Sequence, residues 1–258
     1  MKVSISTFVF IIFCVLANPV YAIVNMEDVH LKSNKQGITG NTSLTFSGAK
    51  GNSDYFSLDW KSRLQVKDTT YTRYAQLQYS YGESFSKENH NSAFVHLRNI
   101  QHISALTSWE LFAQAEQNRF SRLKLRALLG SGVRWDLSAG DSQRQLYFGT
   151  GAFYTYESID FKEQTDDAGK ERNFRGNFYL LMQQALTDNT YIQSTTYFQP
   201  AIDNLKDYRL LEVFGLKIDL NKALSISMDL ELSHDNRPPQ LVEKSDISYK
   251  SGIVYQFY

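Results

Sequence analysis

Apolar and polar side chains alternate along most of this chain, and the pattern is most complete in its last segment, Ser245–Tyr258. Ile247, Tyr249 and Ile253 fall on one side of that segment, while polar residues predominate on the other. Successive side chains of a β-strand point to opposite faces, so this alternation predicts a strand with one apolar and one largely polar face. Similar segments, separated by turn residues, recur from Ile38 onward and predict about twelve strands.

The connections between the predicted strands alternate in length. Even-numbered strands end in short turns such as Lys67–Thr69 and Asn221–Lys222, whereas odd-numbered strands end in longer polar loops such as Glu83–Asn91 and Ser158–Asn173. Outer-membrane β-barrels show this asymmetry because short turns face the periplasm and longer loops face the outside. The sequence therefore predicts an all-β fold, a transmembrane antiparallel up-and-down β-barrel of the outer-membrane type with about twelve strands.

The faces of the fourth predicted strand, Ser92–Ile103, are ambiguous. Val95 and Leu97 favour one face as the apolar one, while Phe94 and Ile100 favour the other. Both orientations stay open from the pattern alone, because apolar residues at odd and even positions cannot share one face of a strand.

The start of the chain has the pattern of a targeting signal. A basic start precedes a short apolar run, Phe8–Ala17, and Val20–Ala22 supplies a small-residue cleavage site, as in a secretory signal peptide. The run is too short to favour a membrane anchor. We therefore expect residues 1–22 to be removed, residues 23–37 to form a flexible periplasmic leader, and residues 38–258 to form the barrel.

Composition narrows the possible functions. The 27 Lys and Arg residues balance the 27 Asp and Glu residues, so the charge does not favour a nucleic acid partner. The sole cysteine, Cys14, lies in the expected signal peptide, which leaves no disulfide framework or thiol nucleophile in the exported chain. No second apolar run is long enough to span a bilayer as a helix. Barrel strands need no such run, because half of their residues face a polar interior.

Three stretches of the chain resemble one protein family. Lys50–Asp54 is similar to its Gly-Asn-Ser/Thr loop, Leu129–Val133 resembles its Gly-x-Gly strand, and Leu224–Phe257 resembles its final hairpin. This is the family of salt-induced outer-membrane proteins, built on a domain of unknown function, and the resemblance covers the predicted barrel. It implies an outer-membrane barrel and supplies no established activity. The family usually ends at the aromatic residue matching Phe257, so Tyr258 is an additional residue here.

One pair of residues matches a catalytic pattern. His90 and Ser92 share a face of an extended segment, and their spacing resembles that of outer-membrane phospholipase A, in which a His activates the nucleophilic Ser. The base also needs an orienting group, and neither Asn89 nor Asn91 is fixed in that role. The same spacing recurs at His102 and the serine two residues later. We therefore expect no enzyme activity and keep lipid hydrolysis as an alternative.

No metal or cofactor site is expected. His96 and His102 share a strand face but lie about 20 Å apart along it, too far for one metal ion to bridge. The acidic loop that contains Glu163, Asp166 and Asp167 is more typical of a hydrated surface loop than of a cation site.

Charges of both signs occupy the polar faces of the clearest strands, and we expect them to line the interior of the barrel. The predicted lumen-lining residues are Asp59, Lys61, Arg63, Glu110, Glu116, Arg126, Arg134, Asp136, Asp229 and Glu231. They line a narrow aqueous channel or pair into a network that closes it. Pairing is favoured slightly, because an unpaired desolvated charge is costly.

Together these patterns favour an outer-membrane protein of the Gram-negative envelope, with a structural or narrow-pore role and, from the family resemblance, a link to salt or osmotic stress. We expect a monomer in outer-membrane lipid, exported through a cleaved signal peptide and inserted by the barrel assembly machinery through its C-terminal strand. No nucleic acid partner and no cofactor are expected. The alternatives are a barrel lipid hydrolase that uses His90 and Ser92, and a secreted soluble β-barrel that binds small ligands.

Overall fold

The computed structural model describes residues 36–51, 54–138, 140–141, 143–159 and 169–257. The predicted signal peptide and nearly all of the predicted leader lie outside these residues, so both stay predictions. Within the described part of the chain, no helix is long and apolar enough to cross a membrane.

Twelve β-strands form the described structure, which confirms the predicted number. Each is between 11 and 16 residues long, well above the length of about five or six residues that is usual in soluble proteins. In chain order they are β1 (Gly37–Ala49), β2 (Tyr55–Lys67), β3 (Tyr71–Ser84), β4 (Lys87–His102), β5 (Thr107–Asn118), β6 (Leu123–Asp136), β7 (Arg144–Ile159), β8 (Lys170–Ala185), β9 (Thr190–Pro200), β10 (Tyr208–Asp219), β11 (Leu224–Asp235) and β12 (Ser245–Phe257).

The strands close into one antiparallel barrel. Each strand pairs with its neighbours in sequence, and β1 pairs with β12 to complete the ring. This confirms the predicted up-and-down topology. Gly37 and Phe257 lie at the same end of the barrel, which we call the termini end, and the opposite end is the loop end.

The connection between β3 and β4 is not the predicted polar loop Glu83–Asn91. The strands continue to Ser84 and resume at Lys87, so only Phe85 and Ser86 connect them. Both residues have positive φ, 48° and 57°, as in a two-residue hairpin turn. The prediction was wrong here because a hairpin that extends beyond a membrane is polar on both faces, as a loop is. The alternation of short and long connections therefore fails at this position.

Large apolar side chains point outward along the wall. On β2, Phe56, Trp60 and Leu64 are exposed, whereas Arg63 is buried. The same outward ring includes, on the other strands, Leu44, Leu77, Leu97, Leu111, Leu129, Tyr154, Phe178, Phe198, Phe214, Leu230 and Ile253. Soluble proteins rarely expose so large an apolar surface, and outer-membrane barrels present one to lipid.

The ambiguous faces of β4 are resolved by burial. Phe94, His96, Arg98 and Ile100 are buried inside the barrel, whereas Leu97 is 53% exposed on the outward face. Apolar residues therefore occupy both faces of β4, because the interior of this barrel contains a hydrophobic layer of its own.

Candidate functional site in the barrel interior

A buried carboxylate joins distant strands inside the barrel. Glu110 on β5 is 1% exposed, and the hydroxyl of Tyr179 on β8 donates a hydrogen bond to its Oε2 at 2.7 Å. Arg98 and Arg134 place their Nη1 atoms 3.7 Å and 3.5 Å from Glu110 Oε1. Because β5 and β8 are separated by two strands in the ring, Tyr179 reaches Glu110 through the interior of the barrel.

A second ion cluster lies nearer the loop end. Glu157 Oε1 accepts hydrogen bonds from Arg126 Nε at 3.0 Å and from Arg209 Nη1 at 2.6 Å. Arg209 Nε also donates to Asp235 Oδ2 at 2.8 Å, and Arg126 Nη1 lies 3.4 Å from Glu116 Oε2. All five side chains are buried. Each charge has an opposite neighbour, which is the arrangement that makes buried ions tolerable.

A hydrophobic layer lies between the ionic groups. Its members are buried inward-facing side chains from four strands: Phe94, Tyr179, Leu181, Tyr197, Leu211 and Val213. The fully buried ring of His96 extends the layer, because it stacks with the rings of Phe94 and Phe112 at centroid distances of 6.2 Å and 6.3 Å. The interior is therefore partly apolar, which the sequence did not predict.

Two inward glycines make room for the aromatic rings of this layer. A methyl group at Gly149 on β7 would overlap the ring of Tyr179, and one at Gly130 on β6 would overlap the ring of Phe112. Glycine suits these positions because any side chain here would displace the neighbouring ring.

Two cavities flank the hydrophobic layer within the described interior. The loop-half cavity measures about 110 Å³, and its lining includes Asp59, Lys250 and Phe94. The termini-end cavity measures about 390 Å³, and its lining includes Arg134 and Leu181. No described residue lines both cavities. These two cavities therefore have separate linings, on opposite sides of the hydrophobic layer.

The ten residues predicted to line the lumen lie in these cavities and clusters. Asp59, Lys61, Glu116, Asp229 and Glu231 line the loop-half cavity, Arg63, Arg134 and Asp136 line the termini-end cavity, and Glu110 and Arg126 belong to the ion clusters. Lys250 joins the first group, since its Nζ lies 2.7 Å from Asp59 Oδ1. The role of these residues along a solute path stays a prediction.

Several residues of the interior were not predicted from the sequence. Arg98 lies on the strand whose faces were ambiguous, while Glu157 and Arg209 lie near strand ends where no faces were assigned. The sequence contains a signal for Glu157, because it shares a strand face with Gly149 and Gly151, and inward glycines mark a place where other side chains approach the backbone. Tyr179 had no such signal, since apolar aromatic residues were expected to face outward.

The pair considered for catalysis comes together inside the barrel. Ser92 Oγ lies 3.3 Å from His90 Nε2, and Ser92 lines the loop-half cavity. Asn91, considered as an orienting group, accepts a hydrogen bond from Gln117 Nε2 at 3.2 Å. A lipid ester would have to enter the barrel to reach this hydroxyl.

Among the described residues, no cluster of His, Cys, Asp and Glu side chains has the arrangement of a metal site. His102 Nδ1 lies 3.0 Å from Ser108 Oγ, within hydrogen-bond distance. Glu163, Asp166 and Asp167, in the acidic loop, lie outside the described residues.

Comparison with known proteins gives one family match. A family model described as "Protein of unknown function, DUF481" matches residues 42–257. No curated protein matches the chain.

Several solved structures have similar barrels. The NanC porin has a TM-score of 0.49 and 9% identity, over 84% of this chain and 98% of that chain. The KdgM porin in complex with disordered oligogalacturonate has a TM-score of 0.47 and 9% identity, over 86% of this chain and 99% of that chain. The translocator domain of autotransporter NalP from Neisseria meningitidis has a TM-score of 0.47 and 13% identity, over 88% of this chain and 91% of that chain.

Proposed function

This chain belongs to the DUF481 family, whose function is unknown, and we propose that it is an outer-membrane barrel whose lumen is closed by its own side chains. The observation that carries the proposal is the hydrogen bond between Tyr179 and Glu110 through the interior. Arg98 and Arg134 hold the same carboxylate from both sides. Barrels with more than about eight strands have room for a cavity or passage, so side chains must fill the lumen to close it.

The distribution of side chains supports a membrane location. Charged residues such as Glu110 and Arg175 are 1% exposed inside the barrel, while Leu129 is 59% exposed outside. This is the reverse of a soluble protein, in which large apolar residues are mostly buried. The same observation disfavours the alternative of a secreted soluble barrel.

The proposal has further parts that need separate tests. The termini end faces the periplasm, and residues 1–22 are cleaved on export. The assembly machinery engages β12, and the protein is a monomer in outer-membrane lipid. The resemblance to salt-induced proteins extends the proposal to a role in salt stress. N-terminal sequencing of the exported protein tests the cleavage, and the amount of protein at rising salt concentration tests the role in salt stress.

Single-channel recording in planar bilayers tests the closed lumen. We expect no discrete conductance steps from the wild-type protein once a heat-dependent gel shift has confirmed its folding. The double variant Tyr179→Ala/Tyr197→Ala removes two rings of the hydrophobic layer, so it should conduct. The matched variant Tyr154→Ala/Tyr249→Ala alters two exposed outward tyrosines and should stay silent. Equal conductance from the wild type and the interior variant would contradict the proposal.

Lipid hydrolysis is a second candidate function, favoured by one observation, the 3.3 Å distance between Ser92 Oγ and His90 Nε2. If Ser92 is the nucleophile, Ser92→Ala abolishes any phospholipid hydrolysis by the purified protein. Unchanged hydrolysis, or none from the wild type, would remove this candidate.

A further inference from the structure

The seam between β1 and β12 is closed over only part of its length. Within the described strands, its ladder joins Gly40–Leu44 to Ile253–Phe257. Toward the loop end, Thr45–Ala49 pair with β2 and Ser245–Gly252 pair with β11, but the described ladder between β1 and β12 does not continue. By contrast, β1 and β2 pair along the whole of Gly37–Ala49.

The paired part of this seam is too short to cross the apolar layer of a membrane. Its five residue pairs, at about 3.4 Å per residue and a tilt of about 40°, advance about 13 Å along the barrel axis. The apolar band of an outer-membrane barrel is about 25 Å tall. Unpaired backbone N–H and C=O groups are strongly unfavourable against hydrocarbon, so polar groups must occupy the remaining part of the seam.

The loop-half cavity lies directly behind this part of the seam, which opens beyond the contact between Thr45 and Gly252. Its lining includes Ser43 and Thr45 of β1, and Ser248, Lys250 and Gly252 of β12. The cavity is therefore bounded by both strands that border the incomplete seam, and a molecule that enters between them reaches the cavity first.

The cavity carries charges of both signs. Lys61 and Lys250 line it together with Asp229 and Glu231. Within the described residues, Glu231 Oε1 is buried and makes no hydrogen bond. Because buried polar atoms nearly always have a partner, this oxygen points to a ligand that donates a hydrogen bond.

The outer rim of the opening is apolar. Phe46 on β1 is 72% exposed, and Ile247 and Tyr249 on β12 are 58% and 79% exposed. An apolar rim outside a charged cavity matches an amphiphile that keeps its chains in the bilayer and places its headgroup inside.

We infer that the opening between β1 and β12 admits a membrane phospholipid from the side, and that the loop-half cavity binds its zwitterionic headgroup. Glu231 accepts the hydrogen bonds of a primary ammonium, and Lys61 and Lys250 face the phosphate. The inference rests on the proposed membrane location, but it does not depend on whether the lumen conducts ions.

A disulfide that closes the seam tests lateral entry. Cys14 is the only cysteine, so in a Cys14→Ser background the pair Phe46→Cys/Ser251→Cys is the only possible disulfide. These positions face each other if the ladder is extended by two pairs beyond its last pair. The variant is freed of lipid in detergent, oxidised or kept reduced, and given phosphatidylethanolamine. Native mass spectrometry should show several-fold more bound lipid on the reduced protein.

A matched pair in a fully paired seam controls for the disulfide itself. Leu129 and Tyr154 are outward register partners on β6 and β7 and do not line the loop-half cavity, so oxidation of Leu129→Cys/Tyr154→Cys should not change lipid binding. Equal binding by the oxidised and reduced forms of the β1/β12 variant would overturn lateral entry.

A separate variant, Glu231→Gln, tests the assignment of the headgroup site. It also tests lipid binding if the seam disulfide does not form. Glu231→Gln keeps the shape and removes the charge, so it should reduce the preference for phosphatidylethanolamine over phosphatidylglycerol several-fold. An unchanged preference would overturn the assignment. Flotation of the protein with vesicles tests the membrane location separately. If the protein does not float, the proposed function is contradicted. If it floats but its lipid binding is unchanged by the disulfide and by Glu231→Gln, only this inference is contradicted.

Discussion

Two arcs of the barrel wall enclose the same lumen and fill it differently. The filled arc, β4 to β10, turns large side chains inward, among them Phe94, Phe112, Phe153, Tyr179, Tyr197 and Leu211. The thin arc, β11, β12 and β1, turns no large aromatic side chain into the loop-half cavity; beside the charged Asp229, Glu231 and Lys250, its lining residues there are small: Ser43, Thr45, Ser227, Ser248 and Gly252. The filled arc places large side chains in the lumen, whereas the thin arc borders the loop-half cavity and the incomplete seam. Strands with the same outward apolar pattern can therefore differ in how their inward residues fill the lumen.

The largest expected effect lies in the ion cluster of the filled arc. Arg209→Ala leaves Glu157 and Asp235 without their shared guanidinium, and breaking a buried ion pair costs about 3–5 kcal/mol. Unfolding in urea, followed by tryptophan fluorescence in lipid vesicles, measures this loss. Arg119→Ala is the control, because Arg119 pairs with Glu88 at the surface and its side chain is 64% exposed. That change should cost less than about 1 kcal/mol, and equal losses would show that the filled arc does not depend on its ion cluster.

The next effect concerns the contact between a glycine and a ring. Gly149→Ala forces the ring of Tyr179 to move, and overpacking of this kind costs about 1–3 kcal/mol. The same urea transition measures the change, with Thr150→Ala on the outward face as the control. Combined with Tyr179→Ala, the cost of Gly149→Ala should nearly vanish, because the obstructing ring is gone. Full additivity of the two changes would show that the filled arc is loosely packed.

A smaller effect is expected from one hydroxyl group. Tyr179→Phe keeps the ring and removes the hydrogen bond to Glu110, which leaves a buried carboxylate oxygen without its donor and costs about 1–2 kcal/mol. Tyr154→Phe, on the outward face, should change the free energy of unfolding much less. A similar cost for both changes would mean that the contact across the lumen adds little to closure.

The architecture of the barrel could be predicted because it depends on local pattern. In β11 and β12 most apolar positions face outward and most polar positions face inward, and such alternation is visible from the sequence alone. It predicted the strand number and the topology, which the structure confirms. The alternation also placed Asp59 and Trp60 on opposite faces of β2, as they are in the structure.

A network of paired interior charges was predicted as slightly favoured, but the partners in it could not be predicted, because they depend on contacts between strands that are far apart in the ring. Glu157 and Arg209 are separated by 52 positions in sequence, and the barrel stagger decides that they meet. The faces of β4 could not be assigned for a related reason: in the sequence, an aromatic residue that packs inside the lumen cannot be distinguished from one that faces lipid. The β3–β4 hairpin was predicted as a loop because strand residues beyond the membrane are as polar as loop residues.

The smallest expected effect is a difference in hydrogen-exchange rate within β1, in the thin arc. In Thr45–Ala49, amides that point away from β2 have no described ladder partner on β12, whereas those in Gly40–Leu44 do. Backbone amides outside a stable ladder exchange with solvent at low opening free energies. Hydrogen exchange of the protein in lipid nanodiscs should therefore be faster in Thr45–Ala49 than in Gly40–Leu44, while the paired residues of β7 and β8 stay protected. Phosphatidylethanolamine should slow the fast amides if its headgroup occupies the opening. Uniform protection along β1 would mean that the seam is closed throughout, and the thin arc would then differ from the filled arc only in the size of its side chains.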